Sequence, residues 1–392
     1  MGSQKKIMIC AGELSGDLHA ANLVQAAKKL ASDIEFFGIG GEKMKEAGVK
    51  IRDSTVHMGT VGVMEGVKYY PSFWKIKTRL SKALEEEHPD LVILVDSRDF
   101  NLRIAKIAKK LGILTLYYIA PPIWAWNDWQ RRKISRDIDR FIAIFPFEAE
   151  AYKRVGAKVD FVGYPLVDLV KPSMSKEEAL QRFNITSERL IVGLLPGSRR
   201  HEILKLLPLM LKVAGRLDKE FKGIQFLLAE ASPLFHKEIA RIVSRTGLSL
   251  KIISNNTYDV MNTSDLIITA SGTATLEATL LNTPMVVIYK TSFSTWLIGK
   301  ILIKLPYIAL PNIIAREEIV PELIGFQLTV KRLTGVALEL LHSKEGLQKM
   351  RVKLKKVNEK LGRPGAAARA AKVVVEMVKT GEDFEPSLNS EM

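Results

Sequence analysis

The sequence is short of cysteine: Cys10 is the only one among 392 residues. A single thiol can form neither an intramolecular disulfide framework nor a cysteine-based metal cluster, which excludes the small disulfide-stabilised secreted domains. Cys10 lies in an apolar, strand-like run, so we expect it in the core. A reducing cytoplasm fits this composition.

Long apolar runs are also missing. No stretch of the sequence is long and apolar enough to cross a bilayer as a helix. The amino terminus leads directly into the first apolar strand, without the apolar region of a signal peptide. We therefore expect a cytoplasmic protein.

Cofactor signatures are absent as well. The turn Gly12–His19 after the first apolar run does not carry Gly-x-Gly-x-x-Gly, so a dinucleotide fingerprint is not supported. The histidines show no metal-ligand spacing, and the run Asp96-Ser-Arg-Asp99 only approaches an Asp-x-Asp pair. We expect no cofactor and no metal, with His19 and His201 at the surface or in capping positions.

Acidic residues are outnumbered by basic ones. Lys plus Arg total 58 against 43 Asp plus Glu, a formal charge of +15. Such a surplus favours a polyanionic partner, which can be nucleic acid, anionic lipid or a phosphorylated substrate. The charge alone does not choose among them.

What the sequence does contain is the pattern of two α/β domains. It is 47% hydrophobic and 26% charged, as globular chains are, and it is long enough for two cores. Apolar runs alternate with helical patterns. The polar segment 171–188 interrupts this alternation, which resumes after it. This alternation predicts parallel sheets covered on both faces, arranged as two Rossmann-like domains facing a cleft. The predicted strands are residues 6–11, 35–41, 91–96, 113–119, 140–145 and 159–163, then 190–195, 225–229, 250–253, 266–269 and 285–289.

The expected domain bounds follow from the same pattern. We expect an amino-terminal domain over residues 1–170 and a carboxyl-terminal domain over residues 171–362. A helix over residues 363–381 and a frayed polar tail over residues 382–392 end the chain. The last helices are predicted at 328–341, 348–361 and 366–378.

The second half contains a candidate anion site. The apolar run 266–269 turns at Ser271-Gly272-Thr273 into a short helix, which Thr273 or Thr275 can cap. The amino terminus of such a helix presents unpaired N–H groups to an anion. Glu277 lies about one turn inside the helix and can reach the hydroxyls of an attached sugar. Together these features indicate a nucleotide diphosphate site; the alternative is an ordinary strand–helix–strand crossover with a solvated Glu277.

A second turn of the same kind carries Gly197, Ser198 and Arg199. A guanidinium at this position can form a bidentate contact with a diphosphate. Preorganised arginine and helix amides stabilise the charge that grows on a leaving diphosphate without requiring a metal. Asn312 can either hydrogen-bond a ligand or cap a turn.

Carboxylates follow the apolar strands of the first half. Glu13 and Asp96 both stand at strand ends, where open α/β sheets bind ligands, and either can act as a general base. The alternative for Asp96 is an N-cap of the following helix. Ser15 and Asp17 can likewise be caps rather than site residues.

Two stretches, 61–80 and 293–305, mix large apolar side chains with lysine and arginine. Cationic amphipathic segments containing tryptophan and phenylalanine suit an anionic lipid surface. The alternative is that both pack in the interior or at a dimer contact. Their joint occurrence in a strongly basic chain favours the membrane surface.

A set of short motifs, spread in order from about residue 7 to residue 325, resembles the lipid-A-disaccharide synthase family. The motifs are Ala11-Gly-Glu-Leu-Ser-Gly-Asp-Leu-His19, Val95-Asp-Ser-Arg-Asp-Phe-Asn101, Pro122-Ile-Trp-Ala-Trp126, Phe145-Pro-Phe-Glu148, Leu195-Pro-Gly-Ser-Arg199, Ala270-Ser-Gly-Thr-Ala274 and Leu310-Pro-Asn312. The resemblance implies a GT-B-type inverting glycosyltransferase that is peripheral on the cytoplasmic face of the bacterial inner membrane. Its donor would be UDP-2,3-diacylglucosamine and its acceptor 2,3-diacylglucosamine 1-phosphate, and its products a disaccharide phosphate and UDP.

The resemblance also implies residue roles. Asp96 matches the proposed general base, and Arg199 matches the arginine assigned to the diphosphate. Glu13, Ser15, Glu277 and Asn312 fall on motif positions tied to activity or UDP binding. The first domain would then face the acceptor and the membrane, and the second would bind the UDP-sugar.

The resemblance further implies a homodimer in which the carboxyl-terminal helices are exchanged between protomers. Arg98 stands where the family usually has proline, and it either contacts the acceptor phosphate or only alters the loop. The alternatives to this transferase are a soluble UDP-sugar epimerase, another GT-B glycosyltransferase and a non-catalytic nucleic-acid binder. No nucleic-acid-binding motif accompanies the charge, so we expect no nucleic-acid partner.

Overall fold

The structure is a computed structural model that describes residues 4–12, 14–54, 70–119, 128–290 and 307–381. Glu13 and most of the two cationic amphipathic stretches lie outside the described residues, as does the side chain of Arg98. The chain forms two compact units, one comprising Met1–Pro165 with Leu361–Met392 and the other Leu166–Lys360. The sequence-based bounds of the functional domains stay predictions.

The described strands of the first unit form a parallel sheet in the order β3-β2-β1-β4-β5-β6-β7. The strands are β1 Lys6–Ala11, β2 Glu35–Gly40, β3 Lys50–Ser54, β4 Leu91–Val95, β5 Leu114–Tyr118, β6 Arg140–Ala143 and β7 Val159–Phe161. The inner strands are continuous apolar runs because both sheet faces are covered. Edge strand β3 was not predicted, since Lys50-Ile-Arg-Asp-Ser54 contains a single apolar residue.

Helices cover this first sheet. They are α1 Leu14–Leu30, α2 Glu42–Glu46, α3 Tyr70–Glu87, α4 Arg98–Lys110, α5 Asp128–Ser135, α6 Pro146–Lys153 and, from the end of the chain, Ala366–Thr380. The last of these, named α16 below, packs on α1. Arg369 fastens it, because its Nη2 donates to Val162 O at 2.7 Å and to Arg363 O at 2.7 Å. Arg369 thereby ties the carboxyl-terminal segment to the end of β7.

The described strands of the second unit form a parallel sheet in the order β10-β9-β8-β11-β12-β13. These strands are β8 Ile191–Leu195, β9 Gln225–Glu230, β10 Leu250–Ser254, β11 Leu266–Ala270, β12 Met285–Tyr289 and β13 Glu322–Ile324. Its helices are α7 Leu166–Leu169, α8 Lys176–Arg182, α9 Arg200–Glu220, α10 His236–Val243, α11 Thr257–Thr263, α12 Thr273–Leu280, α13 Leu310–Ala315, α14 Val330–His342 and α15 Lys344–Lys360. The predicted α/β class with two Rossmann-like sheets is confirmed. The short strand β13 was not predicted.

The burial predicted from the sequence is confirmed for Cys10 and is wrong for His19. Cys10 is fully buried in β1, and burial raises the pKa of its thiol to about 12. His19 was expected at the surface or in a cap, but it is 7% exposed on the inner face of α1. Burial lowers the pKa of its imidazole to about 4, so the ring is neutral at physiological pH.

Among the described helices, none combines the length and the apolar character that a bilayer crossing requires.

A buried ion pair joins the last two strands of the first sheet. Arg140 Nε donates to Asp160 Oδ2 at 2.6 Å and Arg140 Nη2 to Asp160 Oδ1 at 3.2 Å, with both residues almost fully buried. Such a bidentate pair compensates the desolvation of both charges, but neither charge is tolerated alone.

We predict that Arg140→Leu lowers the free energy of unfolding by about 3 to 5 kcal/mol, because Asp160 is left buried without its partner. Urea unfolding measures the loss. The double variant Arg140→Leu/Asp160→Leu should recover most of it, since an apolar pair of similar volume carries no desolvation penalty. A single variant within about 1 kcal/mol of the unmodified protein would contradict the prediction.

Candidate functional site

A pocket of about 520 Å³ lies in the second unit, at the carboxyl ends of β8, β9, β10 and β11. Parallel strands place all their carboxyl ends at one edge, which is where ligands bind in open α/β sheets. Most of the donor-site residues predicted from the sequence line this pocket. They are Gly197, Ser198, Arg199, Ser271, Gly272, Thr273 and Glu277.

The amino terminus of α12 opens into the pocket without a side-chain cap from its N-cap residue, Gly272. Thr275 donates its hydroxyl back to Gly272 O at 2.8 Å instead of capping the helix, so the expectation of a threonine cap is wrong. Thr275 N donates to Gly272 O at 3.1 Å, whereas Thr273 N and Ala274 N have no acceptor among the described residues. These two amides can therefore bind an anion, which the helix dipole also favours.

The amino terminus of α9 differs, because an acidic side chain already occupies it. Glu202 Oε2 accepts hydrogen bonds from Ser198 N at 3.2 Å and Arg199 N at 3.3 Å. Gly197 permits this approach: its φ is +110°, and a Cβ there would lie 2.3 Å from Glu202 Oε2. Glu202 thus completes a capping arrangement that fixes the turn.

Two adjacent arginines at this turn have different surroundings. Arg199 lines the pocket, with its side chain 48% exposed and Nη1 3.8 Å from Glu202 Oε1. Arg200 is directed to Glu238, with Nη2 2.8 Å from Oε1. Arg199 is therefore the arginine that a ligand in the pocket can reach.

Glu277 lies deeper in the pocket and is joined to Tyr258. The Tyr258 hydroxyl donates to Glu277 Oε1 at 3.2 Å. Burial raises the pKa of the Glu277 carboxyl, and the hydrogen bond from Tyr258 opposes that rise. Burial, followed by the nearby Glu277 charge, raises the pKa of the Tyr258 hydroxyl, which keeps it a donor at neutral pH.

A buried carboxylate braces the pocket wall. Asp259 is 2% exposed and accepts hydrogen bonds from Ser173 N at 2.8 Å, Ser173 Oγ at 2.8 Å and Met174 N at 3.2 Å. Asn256 Nδ2 donates to both Ser173 Oγ and Asp259 Oδ2 at 3.1 Å. The segment before α8 is thereby fastened to α11.

Asn312 does not line this pocket. It is fully buried on α13, its Nδ2 donates to Val320 O at 2.8 Å and to Glu322 Oε1 at 2.7 Å, and its Oδ1 accepts from Ile319 N at 2.8 Å and Val320 N at 3.0 Å. These contacts use both donors and both acceptor positions of the amide. They favour the structural alternative, and a direct contact of Asn312 with UDP stays a prediction.

Asp96 directly follows β4 in the first unit, and side chains that donate to its backbone carbonyl hold it in place. Asp96 and the N-cap residue Ser97 have φ values of +54° and +38°, an uncommon conformation for non-glycine residues. Asp96 O accepts hydrogen bonds from Tyr117 Oη at 2.6 Å and Asn101 Nδ2 at 2.8 Å, which stabilise the turn. A side chain at Gly12 would lie 2.1 Å from Ser97 Oγ, so glycine is required there. Strain of this kind is concentrated at functional sites.

Ser15 is the predicted site residue that lies beside Asp96. Its hydroxyl is 3.4 Å from Asp96 Oδ2. Asp17 has a structural role, because it accepts from Gly41 N, Lys43 N and Met44 N at 2.7 to 3.1 Å and so caps α2 rather than its own helix. The capping alternative is thus correct for Asp17, but with a different helix.

Sequence reasoning missed Tyr258, Asp259 and Glu202. Glu202 was recoverable, because a glutamate three residues after an N-cap is a capping signal. Tyr258 and Asp259 gave no local signal, since their partners Glu277 and Ser173 lie far away along the chain.

The two parallel-sheet units define a protein of the GT-B structural class. The S. aureus MnaA–UDP co-structure superposes with a TM-score of 0.67 at 15% identity, covering 98% of this chain and 99% of that one. The UDP-GlcNAc 2-epimerase from Neisseria meningitidis bound to UDP-GlcNAc gives 0.61 at 15% identity, covering 96% and 100%. At this identity the likeness establishes the fold alone.

Sequence comparison identifies the family. The profile of lipid-A-disaccharide synthetase matches residues 7–377. The lipid-A-disaccharide synthase of Geobacter metallireducens is 43% identical over 95% of this chain and 97% of its own, and that of Nitrosococcus oceani is 41% identical over 96% and 97%. The chain belongs to the lipid-A-disaccharide synthetase family, whose members are glycosyltransferases of lipid A biosynthesis.

We predict that Asn312→Ala destabilises the protein by about 2 to 4 kcal/mol, because it leaves buried backbone groups around residues 319 and 320 without partners. Thermal or urea unfolding measures the effect. Gln348→Ala, a change at an exposed position of α15 in the same unit, is the control and should cost less. An Asn312→Ala protein that unfolds normally but loses UDP affinity would favour the ligand-binding role instead.

Proposed function

We propose that the chain joins UDP-2,3-diacylglucosamine to the 6-hydroxyl of 2,3-diacylglucosamine 1-phosphate with inversion at the anomeric carbon. The products are the β-1,6-linked disaccharide 1-phosphate and UDP. The observation that carries the proposal is the convergence of uncapped α12 amides, the Arg199 side chain and the Glu277 carboxylate in one pocket. The family membership supports the same reaction.

The donor half of the reaction is assigned to this pocket. The diphosphate is an anion for the α12 amides and for Arg199, while a carboxylate such as Glu277 accepts hydrogen bonds from ribose hydroxyls. Negative charge increases on the diphosphate as the anomeric C–O bond breaks. Fixed amide dipoles and a guanidinium stabilise that charge more in the transition state than in the ground state.

The acceptor half is assigned to the first unit. Asp96 removes the proton from the 6-hydroxyl as its oxygen forms a bond to the anomeric carbon, and the bond from that carbon to the UDP oxygen breaks. The proton passes to the Asp96 carboxylate, and the electron pair of the broken carbon–oxygen bond leaves with UDP. The hydroxyl of Ser15, 3.4 Å from Asp96 Oδ2, helps to orient the carboxylate. Glu13 remains the alternative base, and Arg98 the candidate contact for the acceptor phosphate.

The acyl chains of both substrates imply work at a lipid surface. The formal charge of +15 suits an anionic membrane, and we propose peripheral binding to the cytoplasmic face of the inner membrane. We also propose a homodimer; exchange of α16 between protomers stays a prediction.

The decisive experiment incubates the purified protein with both diacylated sugars in detergent. We expect UDP release in equal amounts with the disaccharide, identified by mass spectrometry. UDP-sugar converted to its C2 epimer without disaccharide would replace the transferase by an epimerase. Release of UDP without either product would also overturn the proposal.

We predict that Asp96→Asn lowers kcat by about 10²- to 10⁴-fold, because the neutral amide cannot accept the proton. UDP affinity, measured by calorimetry, should remain nearly unchanged. Asp33→Asn, at an exposed turn of the same unit, is the matched control and should keep full activity. An Asp96→Asn enzyme with most of its activity would remove Asp96 as the base and leave Glu13.

We predict that Arg199→Ala weakens donor use by about 10- to 100-fold in kcat/KM, because a charge-assisted contact to the diphosphate is lost. The neighbouring Arg200→Ala is the control, since Arg200 is engaged with Glu238. Steady-state kinetics at varied donor concentration make the comparison. Equal effects of the two substitutions would show that the diphosphate does not contact Arg199.

A further inference from the structure

The Tyr258–Glu277 pair joins two helices inside the pocket. Tyr258 lies in the first turn of α11, which follows β10, and Glu277 lies in the middle of α12, which follows β11. Both residues are half-buried and both line the pocket. The 3.2 Å hydrogen bond between them therefore joins two successive strand–helix segments of the second unit.

The geometry of this pair leaves the carboxylate able to bind a ligand. A half-buried carboxylate needs hydrogen-bond donors to compensate the loss of water. The Tyr258 hydroxyl supplies one, whereas a carboxylate has about four acceptor positions. Because Glu277 lines the pocket, a ligand or solvent there can use its remaining acceptor capacity.

The phenol is held in place by the residue that follows it. Asp259 binds Ser173 and Met174 through three hydrogen bonds, and Thr263 Oγ1 donates to Asp259 O at 2.8 Å. These contacts fix the orientation of α11 against the segment before α8. Tyr258 is thus a donor on a rigid element, a requirement for setting the position of another side chain.

We propose that Tyr258 is a positioning residue for ribose recognition, whose hydroxyl orients the Glu277 carboxylate so that its free lone pairs accept the 2′- and 3′-hydroxyls of the bound nucleotide. The inference rests on the proposed function, because it takes the pocket ligand to be UDP. Tyr258 acts through Glu277 and is not itself a catalytic residue.

Two physical consequences follow for Tyr258→Phe. The Glu277 carboxylate loses the donor that fixes its rotamer. Binding of UDP must then order the Glu277 side chain, which lowers the net binding free energy. The carboxylate also loses a contact that favours the charged form, so the Glu277 pKa rises further above its ordinary value. Since the ionised carboxylate is a stronger acceptor of hydroxyl hydrogens than the protonated carboxyl, UDP affinity should decline as pH falls through the Glu277 pKa, and this decline should begin at a higher pH in the variant.

The experiment measures binding of UDP and of 2′,3′-dideoxyuridine diphosphate to the full-length protein by calorimetry. We expect Tyr258→Phe to weaken UDP by about 3- to 10-fold and to leave the dideoxy analogue unchanged. Glu277→Gln should remove most of the preference for UDP, and adding Tyr258→Phe to it should have no further effect on that preference. Tyr289→Phe, at an exposed end of β12, is the matched control.

The pH dependence gives a second readout that a merely structural role would not change. The acidic limb of UDP affinity should move to higher pH in Tyr258→Phe and stay in place in Tyr289→Phe. Equal weakening of UDP and the dideoxy analogue, or an unmoved acidic limb, would overturn the positioning role. If the unmodified protein does not bind UDP, the proposed function itself fails, which is a distinguishable result.

Discussion

The parallel pairing of β8 with β11 is the constraint on which the candidate donor site depends. Because these neighbouring strands run in the same direction, the turns that follow them reach the same edge of the sheet. The amino termini of α9 and α12 therefore meet at one pocket. Glu202 caps one terminus, and the other leaves Thr273 N and Ala274 N without an acceptor in the described part of the chain. The pocket therefore combines a rigid turn carrying Arg199 with two amides that an anion can use.

Buried polar side chains divide into those committed to the fold and those left for chemistry. Asn312, Asp259 and Asp17 each satisfy several backbone groups, and their substitution affects the fold before any ligand. Glu277 is different, since among the described residues its carboxylate accepts only the Tyr258 hydroxyl hydrogen bond and its side chain lines the pocket. Counting hydrogen-bond capacity thus separates structural from ligand-facing polar groups where residue type alone does not.

The fold by itself would not separate a transferase from an epimerase, because solved structures of UDP-GlcNAc 2-epimerases superpose on this chain over nearly its whole length. The family relationship makes that separation. The structure adds the physical support: a strained turn presents Asp96 in the first unit, and the second unit contains a pocket lined by Arg199, Glu277 and the amino terminus of α12. The reaction differs from epimerisation in needing an acceptor and a base for its hydroxyl, and Asp96 fits that requirement.

The sequence by itself determined the α/β class, most strands and the turn residues 197–199 that line the pocket. These follow from local signals, namely continuous apolar runs, glycine turns and arginine at a strand-to-helix junction, which need no distant partner. The edge strands β3 and β13 could not be predicted, since short or polar strands are defined only by the neighbour that pairs with them. The tertiary structure alone decided that His19 is buried and that Asp17 caps α2. It also decided that every hydrogen-bonding position of the Asn312 amide is used and that Tyr258 donates to Glu277. Each of these features depends on contacts between residues that are distant in the sequence, and local sequence patterns do not predict such contacts.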